Sequence, residues 1–315
     1  GVRSNVLGKP MKEPQDVPFE KEGQYLKSDN RNNISYFLEH NVLLRRFTLS
    51  VGVLANYNSA LNEGIHFYPG IDASYRIGDN FRLYGSWNRA LRMPTFTDLY
   101  YEGKTNKGNP DLKPEESEAF EVGLKYNTYF LRAHIAGFYR KGKNMIDWVK
   151  EKPEDIWESQ NLTKVDNLGF ETNLSLLPRE LGNERFFIRK IELGYAFIHQ
   201  DKDSEGYISN YALDYLKHKF TAQLSHSIWK GFSATWYVRW QDRAGSYTKY
   251  ENLKPAYEEP YSPYCLVDMK VNWEYQRLNL YAELNNLLNS TYYDLGNIPQ
   301  PGIWFKAGFR YSFKY

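Results

Sequence analysis

The stretch IWFKAGFRYSFKY, residues 303–315, alternates apolar and polar side chains along most of its length. Successive side chains of a β-strand point to opposite faces, so this period of two predicts a strand with one face against apolar surroundings. One face carries Ile303, Phe305, Ala307, Phe309, Tyr311, Phe313 and Tyr315, and the other carries Lys306, Arg310, Ser312 and Lys314.

The same alternation recurs in FSATWYVRWQ (232–241) and VDMKVNWEY (267–275). A soluble β-sandwich also alternates, so the pattern alone leaves core and lipid open as the apolar partner. Many predicted strands reach ten residues or more, whereas globular strands average about five or six and roughly nine to eleven cross a tilted bilayer. Aromatic residues near the ends of the apolar stripes are typical of outer-membrane barrels. Together these features favour an antiparallel transmembrane β-barrel.

The whole chain divides into about thirteen predicted strands. Short turns and long polar excursions alternate between them, and bacterial outer-membrane barrels place these on opposite rims. The strands are predicted at 32–43, 45–58, 66–77, 80–91, 115–126, 129–150, 156–178, 187–200, 214–228, 231–244, 263–274, 277–288 and 302–315. The sixth and seventh lose strict alternation at RKGKN and TKVDN, which predicts a β-bulge in each.

An odd strand number indicates part of a barrel. A spanning sheet must close because unpaired edges cannot face hydrocarbon, and bacterial single-chain barrels have even strand numbers. We therefore expect residues 1–31 to be an external loop segment and residues 32–315 to be the C-terminal part of a barrel. The plug and the N-terminal strands are expected to lie on another fragment.

The composition of the chain limits the classes of partner and metal site that it can have. The net charge of +2 does not suggest a polyanionic partner such as nucleic acid, and Cys265, the single cysteine, excludes an internal disulfide and a CxxC metal site. The chain has 42% hydrophobic residues and an unusual 17% of aromatic residues. No run approaches the eighteen apolar residues of a spanning helix.

Five segments together resemble the C-terminal portion of TonB-dependent outer-membrane receptors, and the stretch GIDASYRIGDNFRLYGSWNRALRMPTFTDLYY (70–101) is similar to the vitamin B12 (cobalamin) receptors among them. The five segments are LRMPTFTDLYY (91–101), NPDLKPEESEAFEVGLKY (109–126), NLGFETNLSL (167–176), LYAELNNLLNSTYY (280–293) and PGIWFKAGFRYSFKY (301–315). The resemblance implies a barrel of roughly 22 strands with a plugged lumen in the outer membrane of a Gram-negative bacterium. It also implies energised import of a scarce large nutrient, with no enzymatic step.

The resemblance also implies three partners: the N-terminal fragment with the plug, the TonB complex acting through that plug, and outer-membrane lipid. A surface lipoprotein that captures ligand is a further expected partner.

The insert between 92 and 114 is predicted to be an external loop. Pro94 lacks a backbone donor and ends the ascending strand, whereas Pro110 and Pro114 stiffen the return limb. On the strand that follows, Glu121 and Lys125 are predicted to face the lumen, opposite Phe120 and its apolar neighbours. A solvated connector is the alternative.

The candidate ligands of such a receptor are ferric siderophores, haem, corrinoids and oligosaccharides. Haem receptors of this family commonly carry a histidine between the proline box and NPDL, and residues 95–108 contain none. Loop tyrosines offer a flat apolar face and a hydroxyl, which suits a corrinoid with its peripheral amides, although interface girdles use tyrosine too. The predicted ligand-binding residues are Arg92, Tyr100, Tyr101, Tyr207, Tyr211, Tyr247, Tyr250 and Tyr292.

Cobalamin is the favoured ligand, and a ferric siderophore is the alternative, with the inward bases Arg92, Arg239 and Arg310 serving an anionic chelate. A passive porin and an outer-membrane hydrolase are further alternatives, although no loop folds inward by sequence and no nucleophile stands near a base.

The segment DKDSEG (201–206) resembles a shortened calcium loop, with Asp201, Asp203 and Glu205 as candidate ligands. Ala212 stands where such a loop has its bidentate carboxylate, so calcium is a weak expectation. No other metal and no cofactor is predicted.

Overall fold

The computed structural model describes residues 2–6, 30–60, 64–152, 154–182, 185–203, 206–209, 215–251, 254–296 and 298–313. These residues form a nearly all-β structure built around one sixteen-stranded sheet. Fourteen of its strands follow one another side by side in chain order, as expected when each strand pairs with its sequence neighbours.

The fourteen strands of this path are β1 Val2–Val6, β2 Asn30–Leu43, β3 Phe47–Asn58, β4 Ile65–Ile77, β5 Phe81–Arg92, β7 Glu115–Asn127, β8 Leu131–Lys150, β9 Trp157–Leu176, β10 Ile188–Asp203, β12 Leu216–Trp229, β13 Phe232–Arg243, β16 Tyr264–Tyr275, β17 Leu278–Asn285 and β20 Trp304–Tyr311. Two-residue strands extend the sheet at its sides: β6 Asn106–Lys107 runs parallel to β9, and β11 Ile208–Ser209 runs antiparallel to β8. Separate two-stranded ladders join β14 Ser246–Glu251 to β15 Lys254–Pro260, and β18 Tyr293–Leu295 to β19 Ile298–Pro299.

Helical structure is limited to α1 Phe96–Tyr100 and a 3-10 helix at Pro178–Leu181 in the described ranges. None of the helices found there is long and apolar enough to cross a membrane.

The thirteen predicted strands are all present, with ends shifted by a few residues, and the antiparallel fold class is confirmed. β1 is additional: Val2–Val6 lies inside the segment 1–31 that was predicted to be an external loop, and it pairs with residues 30–34 of β2. Residues 7–29 of that segment lie outside the described residues, so its placement as an external loop stays a prediction.

The prediction of a β-bulge in each of the long strands β8 and β9 is wrong. Lys143 opposes Lys164 and Met145 opposes Leu162, so the register is the same on both sides of the irregular stretch. The loss of alternation reflects Asn144, whose backbone adopts a left-handed φ of 53°. Its carbonyl accepts a hydrogen bond from the Asn161 side chain at 2.7 Å, which fixes this conformation without an extra residue.

The sheet curls so that one face is concave. Lys125 of β7 and Asp268 of β16 line the same cavity of about 590 Å³, although five other strands of the sheet lie between them. The concave face carries the polar set of side chains, including Arg132 and Gln223, and the convex face exposes apolar ones, including Val122 (63% exposed) and Phe309 (74% exposed). In the described part of the chain, β1 and β20 form the two ends of the path.

The two rims of the curled sheet differ. The turns after β2, β4, β7, β9, β12 and β16 lie on one rim, here the turn rim, and the connections after β3, β5, β8, β10, β13 and β17 lie on the other, here the loop rim. Five aromatic pairs lie on the turn rim: Phe81 with Tyr126, Tyr129 with Phe130, Phe186 with Phe187, Phe232 with Trp273, and Tyr311 with Phe313. Such a belt is typical of a membrane interface.

Candidate functional site

The loop rim is dominated by the insert between β5 and β7. Thr95 begins α1 with a capping box, in which its hydroxyl accepts from the Asp98 amide and the Asp98 carboxylate accepts from the Thr95 amide at 2.9 Å. The following chain returns across the helix, and Gly108 passes so close that a Cβ there would lie 2.8 Å from the Tyr100 amide nitrogen. The insert is therefore a compact folded loop, because its own backbone leaves no room for a side chain at Gly108.

Two long-range contacts fasten the insert to the sheet. The Arg31 guanidinium donates to the Pro94 carbonyl at 2.8 Å and lies 5.0 Å from the centre of the Phe96 ring. On the return limb, the Asn161 side chain accepts from the Lys113 amide at 2.8 Å and donates to its carbonyl at 2.9 Å. Both limbs of the insert are thus held by side chains from distant strands.

Arg92, predicted to bind ligand, is engaged by a carboxylate. Its Nε and Nη2 donate in parallel to the two oxygens of Glu115, which is 7% exposed. The Ile146 amide donates to the same carboxylate at 2.8 Å. A bidentate pair of this kind neutralises the guanidinium and fixes its orientation, so Arg92 does not present an unpaired charge on the loop rim.

Beside the insert lies an aromatic cluster of which the sequence singled out only Tyr101. Tyr101, half exposed at 50%, packs its ring edge-on to Trp148 of β8 with 6.2 Å between centroids. The Lys150 ammonium, at the end of β8, lies 4.5 Å from the centre of the Trp157 ring on the neighbouring strand β9. Trp148 opposes Ser159, and Lys150 is the last residue of β8 before the loop. These groups therefore lie together where β8 and β9 reach the loop rim.

Tyr247, another predicted ligand residue, is 8% exposed and packs inside the loops. It stacks on Tyr293 at 5.0 Å and contacts Tyr261 at 5.2 Å, which joins the β14–β15 hairpin to the β18–β19 hairpin. Burial raises the pKa of the Tyr247 phenol, and the nearby Glu259 carboxylate raises it further. The hydrogen bond from Lys249 to Glu259 raises the pKa of the Lys249 ammonium in the same hairpin.

Tyr292 also packs against a neighbour rather than standing free. Its ring lies 4.6 Å from that of Tyr264, whose hydroxyl bonds to Gln241 and Asp294. The Tyr261 hydroxyl, in turn, accepts a hydrogen bond from the Gly296 amide at 2.9 Å. The tyrosines of this part of the rim form one packed unit.

The other predicted residues are placed as follows. Tyr100 stacks on Phe96 within α1 at 6.4 Å, and Tyr207 is half-buried. Tyr211 lies outside the described residues, and so does the side chain of Tyr250. The structure therefore brings Tyr100, Tyr101 and Arg92 together at the insert, and Tyr247 and Tyr292 together at the hairpins, whereas ligand contact by any of them stays a prediction.

The remaining inward bases lie deeper. Arg239 lines the central cavity together with Lys125 and Asp268, and Arg310 lines a second cavity of about 940 Å³ near the turn rim. Glu121 and Lys125 face the concave side as predicted: Glu121 accepts from the Tyr84 hydroxyl at 2.8 Å, and Lys125 lies over the Tyr84 ring.

The calcium candidates fall partly outside the described side chains. Asp201 lies 3.5 Å from the Lys164 ammonium, and Glu205 and the Asp203 side chain are not described. No group of three or more metal-ligating side chains occurs among the described residues. Calcium binding stays a prediction.

A curled antiparallel sheet with a polar concave face, an apolar convex face and long loops on one rim defines the class of outer-membrane β-barrels. Within this class the chain belongs to the TonB dependent receptor-like β-barrel family, whose model matches residues 9–287. The resemblance of its motifs to that family is thereby confirmed.

Two curated relatives illustrate the range of the family. The vitamin B12 transporter BtuB of Vibrio vulnificus is 27% identical over 225 residues, covering 54% of this chain and 36% of that protein. The ferrienterobactin receptor of Escherichia coli is 23% identical over 297 residues, covering 85% of this chain and 38% of that protein. The chain spans about a third of the length of these relatives.

Solved structures show the same fold. A mutant ferric enterobactin receptor of Pseudomonas aeruginosa, in complex with enterobactin, superimposes with a TM-score of 0.71 at 20% identity. The match covers 91% of this chain and 46% of that one.

Proposed function

We propose that the chain is the C-terminal part of the barrel of a receptor that imports a corrinoid, most simply cobalamin, across the outer membrane of a Gram-negative bacterium. Membership of the family supports the transport class, and the likeness to vitamin B12 transporters supports the ligand. The loop rim faces outward, and the lumen accommodates a plug carried by the rest of the receptor. The TonB complex then pulls on that plug to open a path.

The observation that carries the ligand choice is the pairing of Arg92 with Glu115. An anionic iron chelate would be bound by cations that are not already neutralised, and Arg92, the one of the three predicted bases that lies at the insert, is held by two hydrogen bonds. A corrinoid instead presents a large apolar ring with uncharged peripheral amides. That surface suits half-exposed aromatic side chains with a polar group, as Tyr101 beside Trp148 provides.

The second candidate is a ferric siderophore receptor. It is favoured by the likeness to ferrienterobactin receptors, which extends over more of the chain than the likeness to vitamin B12 transporters. Arg239 in the central cavity would be the base that attracts the chelate. Haem is disfavoured because residues 95–108 offer no histidine as an axial ligand.

Calorimetric titration of the detergent-purified complete receptor tests the proposal. Cyanocobalamin, haem and a ferric catecholate are added in separate runs to the parent protein and to the Tyr101→Ala and Tyr129→Ala variants. Tyr129 is a matched control because it is 68% exposed and lies on the turn rim.

We expect cyanocobalamin to bind the parent and the Tyr129→Ala variant equally. The Tyr101→Ala variant is expected to bind it roughly tenfold more weakly, the effect of about 1.4 kcal/mol from one aromatic contact. Binding of the ferric catecholate alone would transfer the assignment to iron uptake.

A further inference from the structure

The loop-rim ends of β8 and β9 form a hairpin, residues 144–163, that extends beyond the neighbouring strands. β7 pairs with β8 only as far as Lys143, and β10 pairs with β9 only as far as Lys164. Beyond these points the outer edges of the hairpin would expose unpaired backbone groups. They are covered by two short strands, because β6 pairs with β9 at Trp157 and β11 pairs with β8 at Val149.

The two covering strands come from opposite sides of the hairpin, and each pairs with the farther edge. β6 belongs to the insert between β5 and β7, which starts on the β8 side, yet it pairs with β9. β11 belongs to the connection between β10 and β12, which starts on the β9 side, yet it pairs with β8. The hairpin is therefore the element that the insert and this connection share.

The Asp147 carboxylate joins β11 to the backbone that carries Trp148. Asp147 is 2% exposed, and alternation along the strand places it on the face opposite to Trp148, beside the buried Val149. One carboxylate oxygen accepts from the Trp148 amide at 2.8 Å, and the other accepts from the Ser209 hydroxyl of β11. Because a buried group that loses a hydrogen-bond partner is costly, these two bonds fix the Trp148 backbone relative to β11.

The Trp148 ring, on the other face of the hairpin, is the part of this arrangement that contacts the insert. It lies edge-on to Tyr101 with 6.2 Å between centroids and an interplanar angle of 89°. The strength of such an edge-to-face contact depends on the relative orientation of the rings. The orientation of the Trp148 ring depends in turn on the backbone to which it is attached.

We infer that Asp147 is a positioning residue for the ligand site: it holds the Trp148 backbone to β11 and thereby keeps the Trp148 ring edge-on to Tyr101. The inference rests on the proposed function, in which Tyr101 beside Trp148 provides the surface for the corrinoid. Asp147 acts through Trp148, because its own carboxylate is buried on the opposite face. The connection that carries β11 thus contributes to a site that it reaches from behind.

Fluorine NMR of the complete receptor labelled with 5-fluorotryptophan tests the positioning without any ligand. The Trp148 resonance is assigned by its loss in the Trp148→Phe variant. The displacement of this resonance by Tyr101→Ala then measures the ring contact in five backgrounds: the parent, Asp147→Ala, Asp147→Asn, Ser209→Ala and Asp155→Ala. Asp155→Ala is the control, because it removes an exposed aspartate from the same hairpin.

We expect Tyr101→Ala to displace the resonance equally in the parent and in the Asp155→Ala background, and to lose this effect in the Asp147→Ala background. Asp147→Asn should restore the displacement, because an amide can still accept from the Trp148 amide and pair with the Ser209 hydroxyl. Ser209→Ala keeps the carboxylate, removes only its bond to β11, and should reduce the displacement. A full displacement in either Asp147→Ala or Ser209→Ala would overturn the inference.

Titration with cyanocobalamin connects the positioning to the ligand. Asp147→Ala and Tyr101→Ala are each expected to weaken binding roughly tenfold, and the double variant by no more than either, because both remove the same contact. A loss of roughly a hundredfold in the double variant would overturn the inference, since the two side chains would then act independently. If the parent does not bind cyanocobalamin, corrinoid import fails, and the Trp148 resonance still decides whether Asp147 positions that ring.

Discussion

Glu115 decides, at the scale of a single residue, how much positive charge the loop rim offers to a ligand. Replacement by glutamine keeps its shape and removes the carboxylate that neutralises Arg92. We expect the Glu115→Gln variant to bind cyanocobalamin no more tightly and an anionic ferric catecholate roughly fivefold more tightly, the effect of about 1 kcal/mol for a charge pair in water. Calorimetry checks this, with Glu116→Gln as the exposed control. Unchanged chelate affinity would mean that Arg92 does not face the ligand.

Gly108 is a second single-residue determinant, because the insert folds back on itself at this point. A Cβ at position 108 would meet the backbone of Leu99 and Tyr100 at 2.8 Å. The Gly108→Ala variant is expected to destabilise the insert by roughly 1–3 kcal/mol through overpacking. Limited proteolysis would then cut within residues 93–114 sooner than in the parent. Gly137→Ala is the control, since its Cβ would meet nothing closer than 3.9 Å.

Residue pairings were the part of the site that the sequence could not supply. The spacing correctly placed Glu121 and Lys125 on the concave face, because a period of two fixes the side of each residue. It offered Arg92 as an open base, since the sequence does not show that Glu115, twenty-three positions later, lies directly opposite. Trp148 was missed because it follows Asn144, whose left-handed backbone interrupts the alternation of apolar and polar side chains.

At the scale of elements, Tyr247 joins two hairpins that are distant in sequence. Its ring contacts Tyr261 within one hairpin region and Tyr293 of the other. Tyr247→Ala is expected to cost roughly 3 kcal/mol of local stability, as for other buried aromatic rings. Amide hydrogen exchange should then accelerate both in 246–260 and in 293–299. Tyr257→Ala, 50% exposed on the same hairpin, is the control; acceleration confined to 246–260 would mean that the hairpins do not support each other.

The elements themselves were largely predictable from the sequence. Thirteen strands followed from alternation and turn residues, and each is present in the predicted order. The short strands β14, β15, β18 and β19 lie inside segments predicted to be loops, because their pairing depends on contacts such as that of Tyr247 rather than on a two-sided pattern. β1 was missed for the same reason, since five residues paired with β2 carry little periodic signal.

For the whole molecule, the decisive feature is that the convex face meets lipid and the concave face does not. An arginine on the lipid face near the middle of an outer-membrane barrel costs about 2–4 kcal/mol. We expect Val122→Arg, on the convex face, to reduce folding into lipid bilayers accordingly. Ser74→Arg, on the concave face, should leave folding within about 1 kcal/mol of the parent. Band-shift electrophoresis across a urea series measures both, and equal losses would contradict the assignment of the faces.

We propose that the complete receptor imports a corrinoid with energy from the inner membrane. The most direct test is uptake of radiolabelled cyanocobalamin by cells that make the complete receptor, with and without a protonophore, beside cells that lack it. The account predicts accumulation that needs the receptor, is saturable and stops when the protonophore is added. Uptake that continues without the ion gradient, or accumulation of a ferric catecholate with none of cobalamin, would contradict it.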